Sequence, residues 1–321
     1  MVGKLIDYFR HSFDPGNYRV VMTLLVKNEI DIIDANIRVH AALGVDSFVV
    51  MDHGSSDGTR EVLESLQGQY DLHIIDQKDP VYRQSEWMTQ LAEHGRDKLA
   101  ADWVISNDAD EFWLPRGGQN LKQLLAFKGT YLTCRRYNMV LEHDALQEGY
   151  RFYDAGMRVD NPIFYGNDDL NREPVAIVLS KIGPKVIANP HGLLKIKGGN
   201  HRAKHAAKLL EYHKPYDRIG KFEPIAVYHY PLRGYKQFEG NVLHRKTLLA
   251  MDPAVRMGNH YRRWVDLYRQ GRLAEEYGRY VFAGEELRVL KKYGVVVEDE
   301  YPGLMIRKAL GCEERESLKL A

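Results

Sequence analysis

The stretch from Val20 to Val26 is apolar, β-branched and almost unbroken, the pattern of a strand buried on both faces. Behind it Ile30, Ile33, Ile37 and Ala41 recur at helical spacing until Gly44 stops them, which predicts an amphipathic helix. Phe48 to Met51 is a second apolar run, closing on Asp52. The segment SSDGTREVLESLQG then reads as a turn and a helix with Ser56 or Asp57 as N-cap. LHIIDQ predicts a third short strand, Ser85 to Ala101 a helix, and DWVISNDADEF a fourth strand with an acidic end. Alternation of strand and helix through short connectors predicts an α/β fold, a mostly parallel sheet with helices on both faces.

The rhythm changes after Pro115. TYLTCRRYNMVLEHD is strand-like, residues 145–175 are rich in turn formers, and VAIVLSKIGPKVIANPHGLLKIKGGNH reads as short strands joined by Gly-Pro and Asn-Pro turns. One more strand is expected over Ile225 to Tyr230, and from Tyr235 onward the pattern is mostly helical. The expected organisation is an N-terminal helical segment over 1–17, with Leu5, Ile6, Phe9 and Phe13 as its docking face. A catalytic-type domain over 18–250 follows, then a helical C-terminal extension over 251–321 with its boundary near Met251-Asp252-Pro253. Trp264, Leu267 and Tyr268 share a helical face that should dock that extension on the domain.

Composition narrows the functional classes. The chain has 321 residues and a formal net charge of +1, so bulk charge gives no reason to expect nucleic acid as a partner. The two cysteines, Cys134 and Cys312, have neither metal-ligand spacing nor the density of a disulfide framework, which fits a reducing, cytoplasmic compartment. No apolar run approaches the roughly 20 residues of a membrane span. Contact with the inner face of a membrane through the N-terminal helix or the aromatic tail is the remaining way to a bilayer.

In open α/β sheets, ligands bind beyond the carboxyl ends of the strands. Three predicted strands end there in polar residues: Lys27-Asn28-Glu29, Asp52 with HGSSDGT, and Asp108, Asp110 and Glu111. The glycines and hydroxyls of DHGSSDGT suit a compact turn that brings backbone N–H groups or Asp52 near a ligand, or a plain helix cap. In the DAD triplet, two carboxylates one residue apart can both reach one hard cation, Mg²⁺ or Mn²⁺, which prefers oxygen ligands and shares its sphere with phosphate. A solvated or salt-bridged turn is the plainer alternative. The acidic cluster needs a partner for its charge, and a hard divalent cation is the expected one. Glu111 should point to the opposite face of the strand end. His40, His73, His191 and His213 read as structural among the 13 histidines.

The ordered motifs TLLVKNEIDIIDANIRVHAALGVDSFVVMDHGSSDGT and WVISNDADEFW resemble those of nucleotide-diphospho-sugar glycosyltransferases of the GT-A (Rossmann-like) fold, in their family 2-like branch. GGNH and YHYPLRGYKQFEGNVLHRK are similar to later motifs of that branch, so the resemblance covers roughly residues 18 to 250. It implies that Glu29 and Asp52 contact the nucleoside of a UDP-type donor, that Asp108 sits near ribose and metal, and that Asp110 ligates Mn²⁺ or Mg²⁺. His229 is the implied third metal ligand. His201 stands second for that task, or lines the acceptor side and serves catalysis. Arg233 and Lys246 would offset diphosphate charge. The implied reaction inverts the sugar carbon in one displacement onto a hydroxyl of a glycan or other acceptor, with polysaccharide biosynthesis as the setting.

Two departures stand out. His53 occupies a position where a small or acidic residue is common, and the acidic motif that supplies the base in many relatives has no clean match; Asp169, with Asp168 and Glu173 beside it, is the nearest offer. A nucleotidyltransferase is the less suitable alternative, because VKNEIDIIDA lacks a glycine-rich basic loop after the first strand. A non-catalytic carbohydrate- or nucleotide-binding protein on a transferase fold is the other alternative.

Overall fold

The computed structural model describes residues 1–79, 81–164, 177–209, 222–255 and 257–312. In chain order the first elements are α1 (Val2–Arg10), β1 (Val20–Val26), α2 (Ile33–Ala42), β2 (Ser47–Asp52), α3 (Thr59–Leu66), β3 (Leu72–Asp76), α4 (Gln84–Leu99) and β4 (Trp103–Asn107). Next come β5 (Glu111–Pro115), α5 (Leu121–Leu124), β6 (Tyr131–Glu142), β7 (Met157–Val159), β8 (Lys185–Ala188), β9 (Leu193–Ile196), β10 (Ala203–His205) and β11 (Ile225–His229). The remainder is α6 (Tyr235–Met251), α7 (Asn259–Arg269), α8 (Leu273–Gly278), β12 (Val281–Phe282), α9 (Gly284–Lys292), β13 (Val296–Glu298) and α10 (Tyr301–Leu310). These divide between two units. One comprises Met1–Arg136, Gly183–Tyr228 and Lys308–Ala321; the other comprises Tyr137–Ile182 and His229–Arg307.

In the first unit β1 pairs in parallel with β2 on one side and β4 on the other, and β3 extends the sheet beyond β2. Leu24 thus lies opposite both Val50 and Asn107. Beyond β4 comes β8, antiparallel, and then the Tyr131–Cys134 part of β6. The expected α/β class and mostly parallel sheet are therefore present. Chain order reverses across β1: β2 and β3 go one way and β4 the other, the point at which such sheets open a crevice at their carboxyl edge. β1 reads as a continuous apolar run because it is covered on both faces. Trp87, Met88 and Leu91 of α4 pack with Val21, Val49, Val104 and Val186 in one buried cluster, each large side chain contributing about 1.5–3 kcal/mol.

Four local expectations are corrected. DWVISNDADEF is not one strand: β4 ends at Asn107, and a tight turn closed by Glu111 N–H to Asp108 C=O (3.1 Å) leads into β5. The N-cap of α3 is Gly58, with Asp57 bonding Thr59 N–H from outside the helix (3.0 Å). Ile30 precedes α2 and is 46% exposed. Helix α1 is held chiefly by polar anchors and Tyr8, not by Ile6 and Phe9, which face outward. Asp7 meets His191 (3.0 Å), His11 meets Asp102 (2.8 Å), and the two imidazoles stack with centroids 3.7 Å apart.

The second unit is built on the Met139–Glu142 part of β6, flanked by β7 and β12, with β13 on β7. The C-terminal region is therefore not purely helical. Its core gathers Val140, Met157, Phe238, Val242, Trp264, Tyr277, Tyr280 and Phe282, so Trp264 docks its helix within this unit. Among the described residues, no helix is long and apolar enough to cross a membrane.

Candidate functional site

The Asp108–Glu111 turn sits at the carboxyl end of β4, beside the chain-order reversal. Its backbone is clamped from α2. The Asn36 side-chain amide, fully buried, donates to Ala109 C=O (2.8 Å) and Glu111 C=O (3.0 Å). Asn36 Oδ1 in turn accepts from Asn107 Nδ2 (3.1 Å), and Asn107 Oδ1 accepts from the Trp113 indole N–H (2.8 Å). His40 completes the clamp: Nδ1 lies 2.8 Å from Asn36 C=O, and Nε2 accepts the Trp113 backbone N–H at 3.0 Å. That tautomer is neutral, and total burial pushes its pKa down to about 3. The structural reading of His40 agrees with this geometry.

Two of the three carboxylates find their counter-charge inside the chain, which corrects the expectation that it comes with a ligand. Lys185, the first residue of β8 and fully buried, places its ammonium against Asp108 Oδ2 and 3.1 Å from Glu111 Oε1. Arg136 Nη1 donates to the same Glu111 oxygen at 2.7 Å. Asn200 Nδ2 donates to Asp108 Oδ1 at 3.0 Å. Glu111 does not point away from Asp108 as expected; both meet Lys185, because the turn between β4 and β5 cancels strict strand alternation. Burying a lysine is tolerable only with such partners, since an unpaired buried charge costs several kcal/mol, roughly. Among the described residues, Glu111 Oε2, Arg136 Nε and Asn200 Oδ1 are buried with no hydrogen-bond partner. Asp108 keeps 29% of its side chain exposed, and Asp110 is half-buried at the third position of the turn. Oxygen donors on one turn, at least partly open to solvent, fit Mg²⁺ or Mn²⁺, which takes one or two carboxylates and completes its sphere with phosphate and water.

The loop after β1 and the glycine- and hydroxyl-bearing loop after β2 are sewn together. Asn28 adopts left-handed φ (58°). Its N–H donates to Ser55 Oγ (3.0 Å), and its side-chain oxygen accepts from Ser56 N–H (2.8 Å). Glu29 N–H donates to Thr59 Oγ1 (2.8 Å), Ile30 N–H to Asp57 Oδ2 (3.2 Å), and Lys27 Nζ to His53 C=O (2.9 Å). Asp52 is buried, accepts from Ser55 N–H (2.9 Å) and lies 3.9 Å from Arg60. Glycine suits position 58: its φ is 103°, and a Cβ there would come within 2.6 Å of Ile30 Cδ1. His53 is also buried, 2.8 Å from Asp79 C=O and with its ring 5.0 Å from Trp87. It supports the loop from beneath.

His201 and His229 share one tautomer. His201 Nδ1 donates to Pro184 C=O (2.8 Å), so Nε2 carries the lone pair. Burial first, then the positive charges of Lys185 and Arg136, hold its pKa down at about 4, so it stays neutral at ordinary pH. In the second unit Asn138 Nδ2 donates to Val178 C=O (2.7 Å), which turns its Oδ1 to His229 Nδ1 (2.7 Å); Nε2 again carries the lone pair. Arg233 and Lys246 belong to the second unit as well. Arg233 Nη1 donates to Tyr230 C=O (3.2 Å), and the Lys246 ammonium lies 4.9 Å from the Tyr268 ring centre. Asp168, Asp169, Glu173 and His213 lie outside the described residues.

Residues 21–138 match the model of glycosyltransferase family 92. They form a glycosyltransferase segment. It contains β1 to β4, the sewn loops and the carboxylate turn. The motifs point to the family 2-like branch; the model that matches this glycosyltransferase segment is that of family 92. A search of curated proteins finds no match. Among solved structures, the chain is similar to S. aureus TarS 1-349 in complex with UDP-GlcNAc: 13% identity, 92% of this chain, 93% of that one, TM-score 0.38. It is also similar to TarS 1-349 without ligand named: 12% identity, 54% of this chain but only 47% of that one, TM-score 0.32. A third is glucosyl-3-phosphoglycerate synthase from Mycobacterium tuberculosis with Mn²⁺, UDP and glucosyl-3-phosphoglycerate: 15% identity, 56% and 62%, TM-score 0.30. At these scores the superpositions fix no residue correspondence.

Proposed function

We propose that the protein transfers a sugar from a nucleotide-diphospho-sugar, UDP-linked, to a hydroxyl acceptor, with a divalent cation and with inversion at the sugar carbon. The observation that carries this reading is the carboxylate turn Asp108–Glu111, held at the carboxyl edge of β4 within the glycosyltransferase segment. The UDP and Mn²⁺ named with the mycobacterial synthase agree with the donor and cation proposed. Asp110 is the proposed direct ligand of Mn²⁺ or Mg²⁺, with Asp108 beside it, and His229 is the proposed imidazole ligand. When bound, the ion offsets charge that builds on the departing diphosphate. Glu29 and Asp52, on loops that hold each other, face the nucleoside; Arg233 and Lys246 are proposed to add positive charge for the phosphates.

His201 is neutral with an accepting Nε2, so it can take a hydrogen bond from a hydroxyl. A pKa of about 4 makes it a poor store for the proton that the attacking hydroxyl loses. That proton is assigned instead to Asp169, and His201 orients the hydroxyl. Cytoplasmic location, with the protein working at the inner face of a membrane on a glycan, is part of the same proposal.

Thermal melts in the presence of a panel of nucleotide-sugars, with and without Mn²⁺, test it. A ligand that binds only the folded chain raises the melting temperature. The expected result is stabilisation by a UDP-sugar that requires Mn²⁺. Binding that gains nothing from Mn²⁺ would favour a non-catalytic binding protein and sink this reading.

A further inference from the structure

Among the described residues three non-glycine residues have left-handed φ: Asn28 (58°), Ala100 (51°) and Asn200 (56°). Ala100 closes α4, its N–H bonded to Gly95 C=O, as helix ends commonly require. Asn200 has no such reason. It follows Gly199, also left-handed (71°), in the short turn Gly198–Asn200. That turn is pinned by Gly199 N–H to Gln84 Oε1 (2.8 Å) and Asn200 N–H to Lys197 C=O (3.0 Å). Glycine would occupy the position without strain. Asparagine adds one thing that glycine lacks, a buried amide donating to Asp108 Oδ1 at 3.0 Å. The other Asp108 oxygen is taken by Lys185, an ammonium fully buried between Asp108 and Glu111. Each oxygen of one partly exposed carboxylate is thus gripped by a different element, the β8 start and the Gly198–Asn200 turn. Strain and buried charge are both costs to stability, and here they converge on the orientation of one side chain.

We propose that Asn200 and Lys185 are positioning residues that hold Asp108 in the orientation required to bind a nucleoside diphosphate with its cation. This rests on the functional reading above. A carboxylate fixed on both oxygens spends its remaining lone pairs without first losing rotamer freedom, so affinity gains from order established on folding.

The test is Asn200→Gly, measured by calorimetry with UDP and Mn²⁺ and by thermal melts. Expected are a melting temperature unchanged or raised, because glycine relieves the left-handed backbone, and UDP·Mn²⁺ affinity lowered about tenfold, the scale on which partners behind a ligating residue act. In turnover, KM for the nucleotide-sugar rises with it while kcat stays within about threefold, as for loss of uniform binding. A second variant, Lys185→Met with Glu111→Gln, removes one buried charge of each sign, and it too should bind UDP·Mn²⁺ about tenfold more weakly. Affinity within about twofold of the unaltered protein for Asn200→Gly overturns the proposal. If the unaltered protein itself fails to bind UDP with Mn²⁺, the functional reading falls first and this inference falls with it.

Discussion

Each unit contains a buried acid surrounded by cations, and the two differ in how they close. In the second unit Glu276 accepts from Arg263 (Nη2 to Oε2, 2.7 Å) and from the Tyr280 hydroxyl (2.6 Å), and Tyr280 accepts from the Trp264 indole N–H (2.9 Å). Burial pushes the Glu276 pKa up, but the bonds from Arg263 and Tyr280 outweigh it and the net shift is downward. In the first unit Glu111 is equally buried, but its cation Lys185 is shared with Asp108, which stays partly exposed to solvent. Burial and ion pairing alone therefore do not mark a site. The mark is a network that invests strain and buried charge in a group still reachable from outside.

The contrast can be broken, most severely at Asp110. Asp110→Asn should lower transfer by on the order of 10²–10³-fold or more, as losing a charge-stabilising group does, while leaving the melting temperature within a degree or two, roughly. Next, Arg263→Met should cost about 3 kcal/mol of stability by leaving Glu276 with only the longer pairing to Arg279 (3.4 Å), with UDP affinity unchanged in calorimetry. A loss of affinity there would erase the distinction between the two networks.

Acid should weaken both units. His40 in the first is held at about 3 and His260 in the second at about 4, both mainly by burial. A depressed histidine pKa means that the unfolded chain binds the proton first. Stability is then full above about 6.5 and is lost as pH falls toward the folded values. Urea melts at pH 7 and pH 5 should differ by on the order of 1–2 kcal/mol per histidine. The smallest effect is expected from Gly58→Ala, about 1–2 kcal/mol from the left-handed backbone and the clash with Ile30. Adding Ile30→Ala should recover the clash part alone.

The strands and helices from Val20 to Asn107 were legible because period and punctuation agree there, and Asp52, Asp108 and Asp110 follow from where those strands stop. The partners of the charge were not legible. Lys185 is a lone cation opening KVIA, and Arg136 sits beside Arg135; nothing in spacing ties either to residues some 25 to 77 positions earlier. Asn36 did leave a signal, a polar residue on the buried face of Ile33, Ile37 and His40. The turn between β4 and β5 was hidden because DADEF carries no glycine or proline.

The loops after β1 and β2 share five hydrogen bonds among Lys27, Asn28, Glu29, Ile30, His53, Ser55, Ser56, Asp57 and Thr59. They are consequently one heritable piece. A chimera that imports either loop alone from another protein brings donors without acceptors and should open the edge it meant to redesign. Specificity at this edge can be transplanted only as a pair, and a substitution at Thr59 or Ser55 can imitate a ligand-contact defect without touching the ligand.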